Sequence, residues 1–174
     1  MPAPRFSEQL NLQIGNELAA HNQYLAVAVY YDALTMPRMA AFFYQQALEE
    51  RDHAMMMVQY LLDTDADVMF PAVEAAVSSF DDVIAPVQLA LEQEKRVTEQ
   101  INALLKIARE ENDFASEQFM QWFIKEQVEE MATMSDLLAV VTRNTNDIED
   151  IEEYVAREQN GGEPDPTAPR IAGA

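Results

Sequence analysis

Glu50 and His53 stand three residues apart within a segment of helical periodicity. That spacing sets a carboxylate and an imidazole on one face of a helix, where they can serve as oxygen and nitrogen ligands to a cation. Alone, such a pair is usually two solvated surface side chains. Its weight here comes from other acids that sit on apolar faces. Glu94 has Val87, Ala90, Leu91, Val97, Thr98, Ile101 and Leu105 as same-face neighbours, whereas Glu92 lies with Gln88, Leu89, Lys95, Arg96 and Glu99. Glu17 falls with Leu10, Ile14 and Tyr24, Glu50 with Phe43, Ala47, Ala54 and Met57, and Gln127 and Glu130 with Met120, Phe123, Ile124, Met134 and Leu137. A surface helix keeps its carboxylates opposite its apolar stripe, so these acids point inward. Burying an ionised carboxylate costs several kcal/mol unless it is paired or coordinated, and the pattern sets no Lys or Arg beside them. A bound cation resolves the conflict. The chain has no cysteine, which excludes thiolate zinc and iron–sulfur ligation and leaves a carboxylate and imidazole set suited to iron or manganese.

Four long helices must position these groups. Residues 7–34 carry Leu10, Ile14, Leu18, Leu25, Ala28 and Tyr31 at helical spacing, with Ser7 as the expected N-cap. Pro37 opens a second helix through residue 62, and residues 82–110 and 113–142 supply the third and fourth. Short breaks make each consecutive pair an antiparallel hairpin. The stretch 63–81, with Pro71, Ser78 and Ser79 and no sustained period, is far longer than an ordinary loop and implies an end-to-end crossover. A short fifth helix is expected near 146–157, and the Gly and Pro content of residues 160–174 reads as a flexible C-terminal tail. The fold class is all-α: a four-helix bundle with a long crossover between helices 2 and 3. The expected division is a domain over 1–159 and a tail over 160–174.

Composition narrows the function. A formal charge of -20 with only 11 Lys and Arg argues against nucleic acid, whose phosphates demand clustered cations. The acidity serves solubility or attracts cations. No run approaches the roughly 18 apolar residues of a membrane span, and Met1 to Phe6 lack the basic start of a secretory signal, so a cytoplasmic protein without membrane partners is expected. His21 reads as a boundary or surface residue, and Met55, Met56 and Met57 read as packing. Phe42, Phe43, Phe119, Trp122 and Phe123 read as core, while Trp122 and Tyr24 are also of a type able to take redox roles.

Over residues 6–157 the chain resembles the ferritins, particularly the haem-free bacterial and actinobacterial storage ferritins. The likeness rests on Asn16-Glu17-Leu18, Glu49-Glu50-Arg51-Asp52-His53-Ala54, Gln118 to Phe123, and Glu126-Gln127-Val128-Glu129-Glu130. It implies a di-iron ferroxidase centre in which Glu17, Glu50 and His53 bind a first iron, Glu50, Glu94 and Glu130 bind a second, and Glu50 bridges. It further implies an outer-shell role for Gln127, a hydrogen-bonding and electron-donating role for Tyr24, and a third iron position from Glu49, Glu126, Glu129 and Glu130, with Trp122 close by. Fe(II) would be oxidised by O2 or H2O2 and stored as Fe(III) oxide inside a 24-subunit homo-oligomeric shell. Glu117 is a channel candidate as well as an ordinary first-turn acid.

The chain departs from bacterioferritins, which resemble it but need a haem-ligating methionine where Asp52 stands and a second Glu-x-x-His where it has Gln127-x-x-Glu130. No haem is expected. The same missing histidine counts against other carboxylate di-iron oxidases. A metal-free structural bundle is the reading from a different class, and it requires the inward acids to be protonated or solvated.

Overall fold

The computed structural model describes residues 1–158 and 165–174. Among them are five helices and no strand: α1 (Pro4–Ala33), α2 (Pro37–Asp63), α3 (Ala85–Glu110), α4 (Phe114–Arg143) and α5 (Ile148–Glu158). Helices α1 and α2 form one hairpin, α3 and α4 the other, and α1 packs on α3 to close a four-helix bundle. The all-α expectation holds.

The helix ends follow local chemistry. Ser7 is not the N-cap of α1. The helix starts at Pro4, whose fixed φ suits the first position; Ser7 lies within the first turn and donates to the Ala3 carbonyl at 3.4 Å. Asp113 caps α4 through Oδ1, which accepts from Ser116 N–H at 3.1 Å, and its Oδ2 accepts from Ala3 N–H at 2.8 Å. One carboxylate thereby ties the two hairpins together. Helix α2 has no cap of its own. Glu152 of α5 supplies it, accepting from the N–H groups of Arg38 and Met39 at 2.8 Å each, and puts a negative charge at a helix N-terminus.

Residues 64–84 run the length of the bundle between α2 and α3. Extended backbone needs partners, and three polar side chains of α1 supply them. Asn11 donates to Asp67 O at 2.9 Å and accepts from Met69 N–H at 2.6 Å. Gln23 makes the same reciprocal pair with Val77, 2.8 Å each way, and Tyr31 donates to Val83 O at 2.7 Å.

Gly15 lets the crossover lie this close. A Cβ added there would meet Pro71 Cγ at 2.3 Å, a contact that a closed ring cannot swing away from. Helix propensity alone would favour alanine by about 1 kcal/mol, but overpacking costs about 1–3 kcal/mol. Gly15→Ala is therefore expected to lower the stability of the metal-free protein by up to about 2 kcal/mol, read as a fall in its guanidinium midpoint. A midpoint raised by the full propensity gain would show that the crossover floats rather than packs.

The core falls into two apolar clusters. One contains Tyr24, Tyr31, Phe43, Val87, Leu137 and Val141, with Ile151 and Val155 of α5. The other contains Phe6, Leu10, Ile14, Met57, Leu61, Ile101, Leu104, Met120 and Phe123. Met56 and Met57 are buried in the second cluster and Met55 packs against it, so the three methionines do pack. On each of α1 to α4 the cluster changes at one level: between Ile14 and Tyr24, Ala47 and Ala54, Leu91 and Val97, and Phe123 and Met134. Antiparallel hairpins bring those four gaps to one layer at mid-bundle.

Residues 165–174 are placed against this body. Ala168, Ile171 and Ala172 pack on the second cluster, Ala172 N–H donates to Met55 O at 3.1 Å, and Arg170 pairs with Asp63 at 2.5 Å. Residues 160–164 of the expected tail lie outside the described residues.

Candidate metal centre

The mid-bundle layer contains the inward polar residues. Glu17 on α1, Glu50 and His53 on α2, Glu94 on α3, and Gln127 and Glu130 on α4 are all buried, Glu94 completely. Glu92, expected at the surface, is exposed. Ligand atoms of Glu17, Glu50 and His53 lie within 4.8 Å of one another. Within this group His53 Nδ1 is 3.4 Å from Glu50 Oε2. Two further carboxylates flank it.

Glu94 is held from two sides. The Tyr24 hydroxyl donates to its Oε1, and Gln127 Nε2 donates to its Oε2 at 3.2 Å and lies 3.1 Å from Thr98 Oγ1. Burial nevertheless pushes the Glu94 carboxyl above its ordinary range; the Tyr24 and Gln127 donors oppose that shift, and Glu17 adds to it. Glu50 is pushed up strongly, first by burial and then by the carboxylates of Glu94, Glu17 and Glu130. Glu130 rises for the same reasons, burial first, then Glu94, Glu49 and Glu126. The Tyr24 phenol is held far above its usual value by burial and by Glu94 and Glu50, so it stays a hydrogen-bond donor.

Four buried acids, with no buried Lys or Arg among the described residues, form a cage for positive charge. Two of the four buried side-chain atoms without a hydrogen-bond partner among the described residues are Glu17 Oε2 and Glu50 Oε2. Bare oxygens beside an imidazole are the donor set of a hard-to-borderline divalent metal.

Beside this layer lies a cavity of about 790 Å³ lined by Glu49, His53, Glu126, Glu129, Glu130 and Trp122, among others. Glu49 accepts from Gln45 at 3.1 Å and from Gln46. Glu126 is half-buried and raised by that burial, with His53 opposing and Glu129 and Glu49 adding. Glu129 is exposed, 3.8 Å from Lys125. Trp122 packs edge-on to His53, ring centres 5.6 Å apart. Its Nε1 donates to Asp165 at 3.2 Å, and Lys125 reaches the same oxygen at 2.9 Å. Asp165, Ala168 and Ile171 thus wall the cavity. Nothing in the sequence periodicity pointed to Asp165, because no helical phase connects it to the bundle.

The remaining candidates sit apart from the layer. His21 is half-buried, its Nδ1 2.5 Å from Ala47 O, and serves the α1–α2 contact. Glu117 accepts from Arg109 at 2.7 Å at the α3–α4 turn, a surface pair. Asp52 pairs with Arg51 at 2.6 Å. No helix of the described residues is long and apolar enough to cross a membrane.

The sequence and the architecture have known counterparts. Residues 7–144 match the family model described as a ferritin-like domain. A protein named ferritin BfrB from Mycolicibacterium smegmatis is 48% identical over 97% of this chain and 93% of its own length. A bacterial non-heme ferritin of Staphylococcus aureus is 37% identical over 80% of this chain and 84% of its own. Among solved structures, an open-pore ferritin from the hyperthermophilic archaeon Archaeoglobus fulgidus aligns with a TM-score of 0.86 and 30% identity, covering 91% of this chain and all of that one.

Proposed function

Because the chain belongs to the ferritin-like family, we propose that it is an iron-storage ferritin whose mid-bundle layer oxidises Fe(II). The observation that carries this reading is the grouping of Glu17, Glu50 and His53, with two bare buried carboxylate oxygens and no buried Lys or Arg among the described residues. Fe(II) is the substrate. Glu17, Glu50 and His53 receive one ion, and Glu50, Glu94 and Glu130 the other, with Glu50 between them. Each Fe(II) gives one electron. O2 takes up the two electrons with two protons to leave H2O2, or H2O2 takes up the same to leave two waters. Hard carboxylate oxygens favour Fe(III) over Fe(II) and so draw the reaction forward.

Tyr24 and Gln127 orient Glu94, and the Tyr24 phenol can relay an electron. Glu49, Glu126, Glu129 and Glu130 offer a third position in the adjacent cavity, with Trp122 beside it. Residues 1–159 make the ferroxidase unit. Copies of the chain assemble as a 24-subunit shell in which the oxide grows, and the acidic surface attracts Fe(II) toward it. A cytoplasmic location, and no haem, nucleic-acid or membrane partner, complete the proposal.

Aerobic Fe(II) added in large excess over the chain should give a soluble Fe(III) absorbance that co-elutes with a very large particle on size exclusion. A small oligomer that stops near two irons per chain would instead mark a di-iron enzyme. Absence of any oxidation above the buffer rate would return the acids to a structural role.

A further inference from the structure

The feature that the proposed chemistry leaves unused is Gln13. It lies one helical turn before Glu17 on α1 and is 2% exposed, unusual for a residue type that prefers the surface. Its Nε2 donates to Glu17 Oε1 at 2.9 Å and to Gln100 Oε1 at 3.1 Å, while its Oε1 accepts from Asn16 Nδ2 at 3.0 Å. The orientation of the amide follows from chemistry: a carboxylate only accepts, so the NH2 group must face Glu17. Both polar atoms of the Gln13 amide are engaged, and its position is set from α1 and α3 together.

The two oxygens of Glu17 are thereby made unequal. Oε1 is occupied by Gln13, whereas Oε2 is buried without a partner and belongs to the residue grouped with Glu50 and His53. Glu94 differs, since both of its oxygens have donors, Tyr24 on one and Gln127 on the other. We propose that Gln13 is a positioning residue that makes Glu17 a one-oxygen metal ligand, holding Oε1 back and presenting Oε2 to the ion. This assignment rests on the layer being a metal centre. Gln100 acts one step further out: it is half-buried, and with Gln13 and Asn16 it lines a groove of about 630 Å³ between α1, α3 and the crossover. The clamp on Glu17 is therefore anchored from the opposite side of the bundle to the acidic cavity.

Groups that orient ligands from behind typically change metal affinity by about 10- to 100-fold when removed. The experiment is a Co(II) titration of the metal-free assembled protein, followed by calorimetry and by visible absorption, which reports the number and type of ligands without any turnover. Wild type should show a tight first event, and Glu17→Gln should lose it. Gln13→Leu, close in volume, should weaken that event by about 10-fold or more and change its absorption bands, because Glu17 is then free to offer both oxygens. A folded Gln13→Leu with the affinity and bands of wild type would overturn the assignment. If Gln13→Leu fails to assemble, Gln100→Leu decides: removal of the outer anchor should weaken the first event a few-fold and broaden its bands, and identity with wild type would again overturn the role of Gln13. Wild type that binds no Co(II), or Glu17→Gln that binds it normally, would instead overturn the metal-centre reading and this assignment with it.

Discussion

Glu50→Ala is expected to cut the initial rate of Fe(II) oxidation by more than about a hundred-fold, beyond what changes behind the ligands cost, while the assembly persists. Glu50 is the residue that the others surround. It lies 3.4 Å from His53, groups with Glu17, and feels the charge of Glu94 and Glu130. No other position is shared by both halves of the proposed pair. Folding should survive, because Glu50 is a net liability to the metal-free protein: its Oε2 is buried with no hydrogen-bond partner, and its neighbours are acids. Glu50→Gln sharpens the point by keeping the volume and dropping the charge. At neutral pH the metal-free Gln variant should unfold at higher denaturant concentration than metal-free wild type, yet oxidise Fe(II) no better than the Ala variant. Wild-type oxidation by either variant would remove the acids from the chemistry and favour a metal-free bundle. Loss of both assembly and activity in the Gln variant would show that Glu50 is a packing residue.

The legible parts of this molecule are those in which one helix speaks for itself. Glu94 could be placed from its own neighbours, since Val87, Leu91, Val97 and Ile101 surround it at helical spacing, and it is fully buried. The same test found Glu17, Glu50, Gln127 and Glu130. The crossover followed from the length and lack of period of one stretch. What escaped were residues whose role depends on a second element. Asn11 and Gln23 look like ordinary helix polar residues until the crossover lies beside them and needs partners for its backbone. Gln13 is four residues from Glu17, a spacing that allows contact, but Gln at a helix surface is so common that the spacing carries no signal without burial. Residues 165–174 hold a few apolar side chains among Gly and Pro, too few to set a period. Their contacts with α2 and α4 arise from long-range geometry alone. Helix starts shifted for a related reason: Ser7 has the right chemistry for a cap, but Pro4 and the Ala3–Asp113 bond set an earlier start.

The second large effect concerns protons. Glu50, Glu94 and Glu130 all titrate above their ordinary value of 4.5 in the folded chain, burial being the first cause for each. An acid whose folded pKa exceeds its unfolded one binds more protons in the native state, so its contribution to stability is complete below the unfolded value and is lost as pH rises through the folded one. The metal-free protein should therefore lose stability progressively as pH rises above about 4.5. Mutual repulsion within a chain of charge -20 acts in the same direction, but that term lies mostly at the surface and is screened when salt shortens the Debye length to about 3 Å at 1 M. The buried layer is screened far less, so the decline should persist in high salt and should be shallower in Glu50→Gln. Divalent metal reverses the sign, because a cation needs the deprotonated ligands that the metal-free protein resists. The stabilisation given by Co(II), taken as loaded minus metal-free, should grow with pH over the same window. Binding should also release protons, at most three from Glu50, Glu94 and Glu130, measurable as a dependence of the calorimetric heat on buffer ionisation enthalpy. A metal-free stability that climbs steadily over this range, or metal binding with no proton release, would mean that these carboxylates are already ionised and hydrated in the native state, and a layer of that kind could not drive cation capture as strongly as its burial implies.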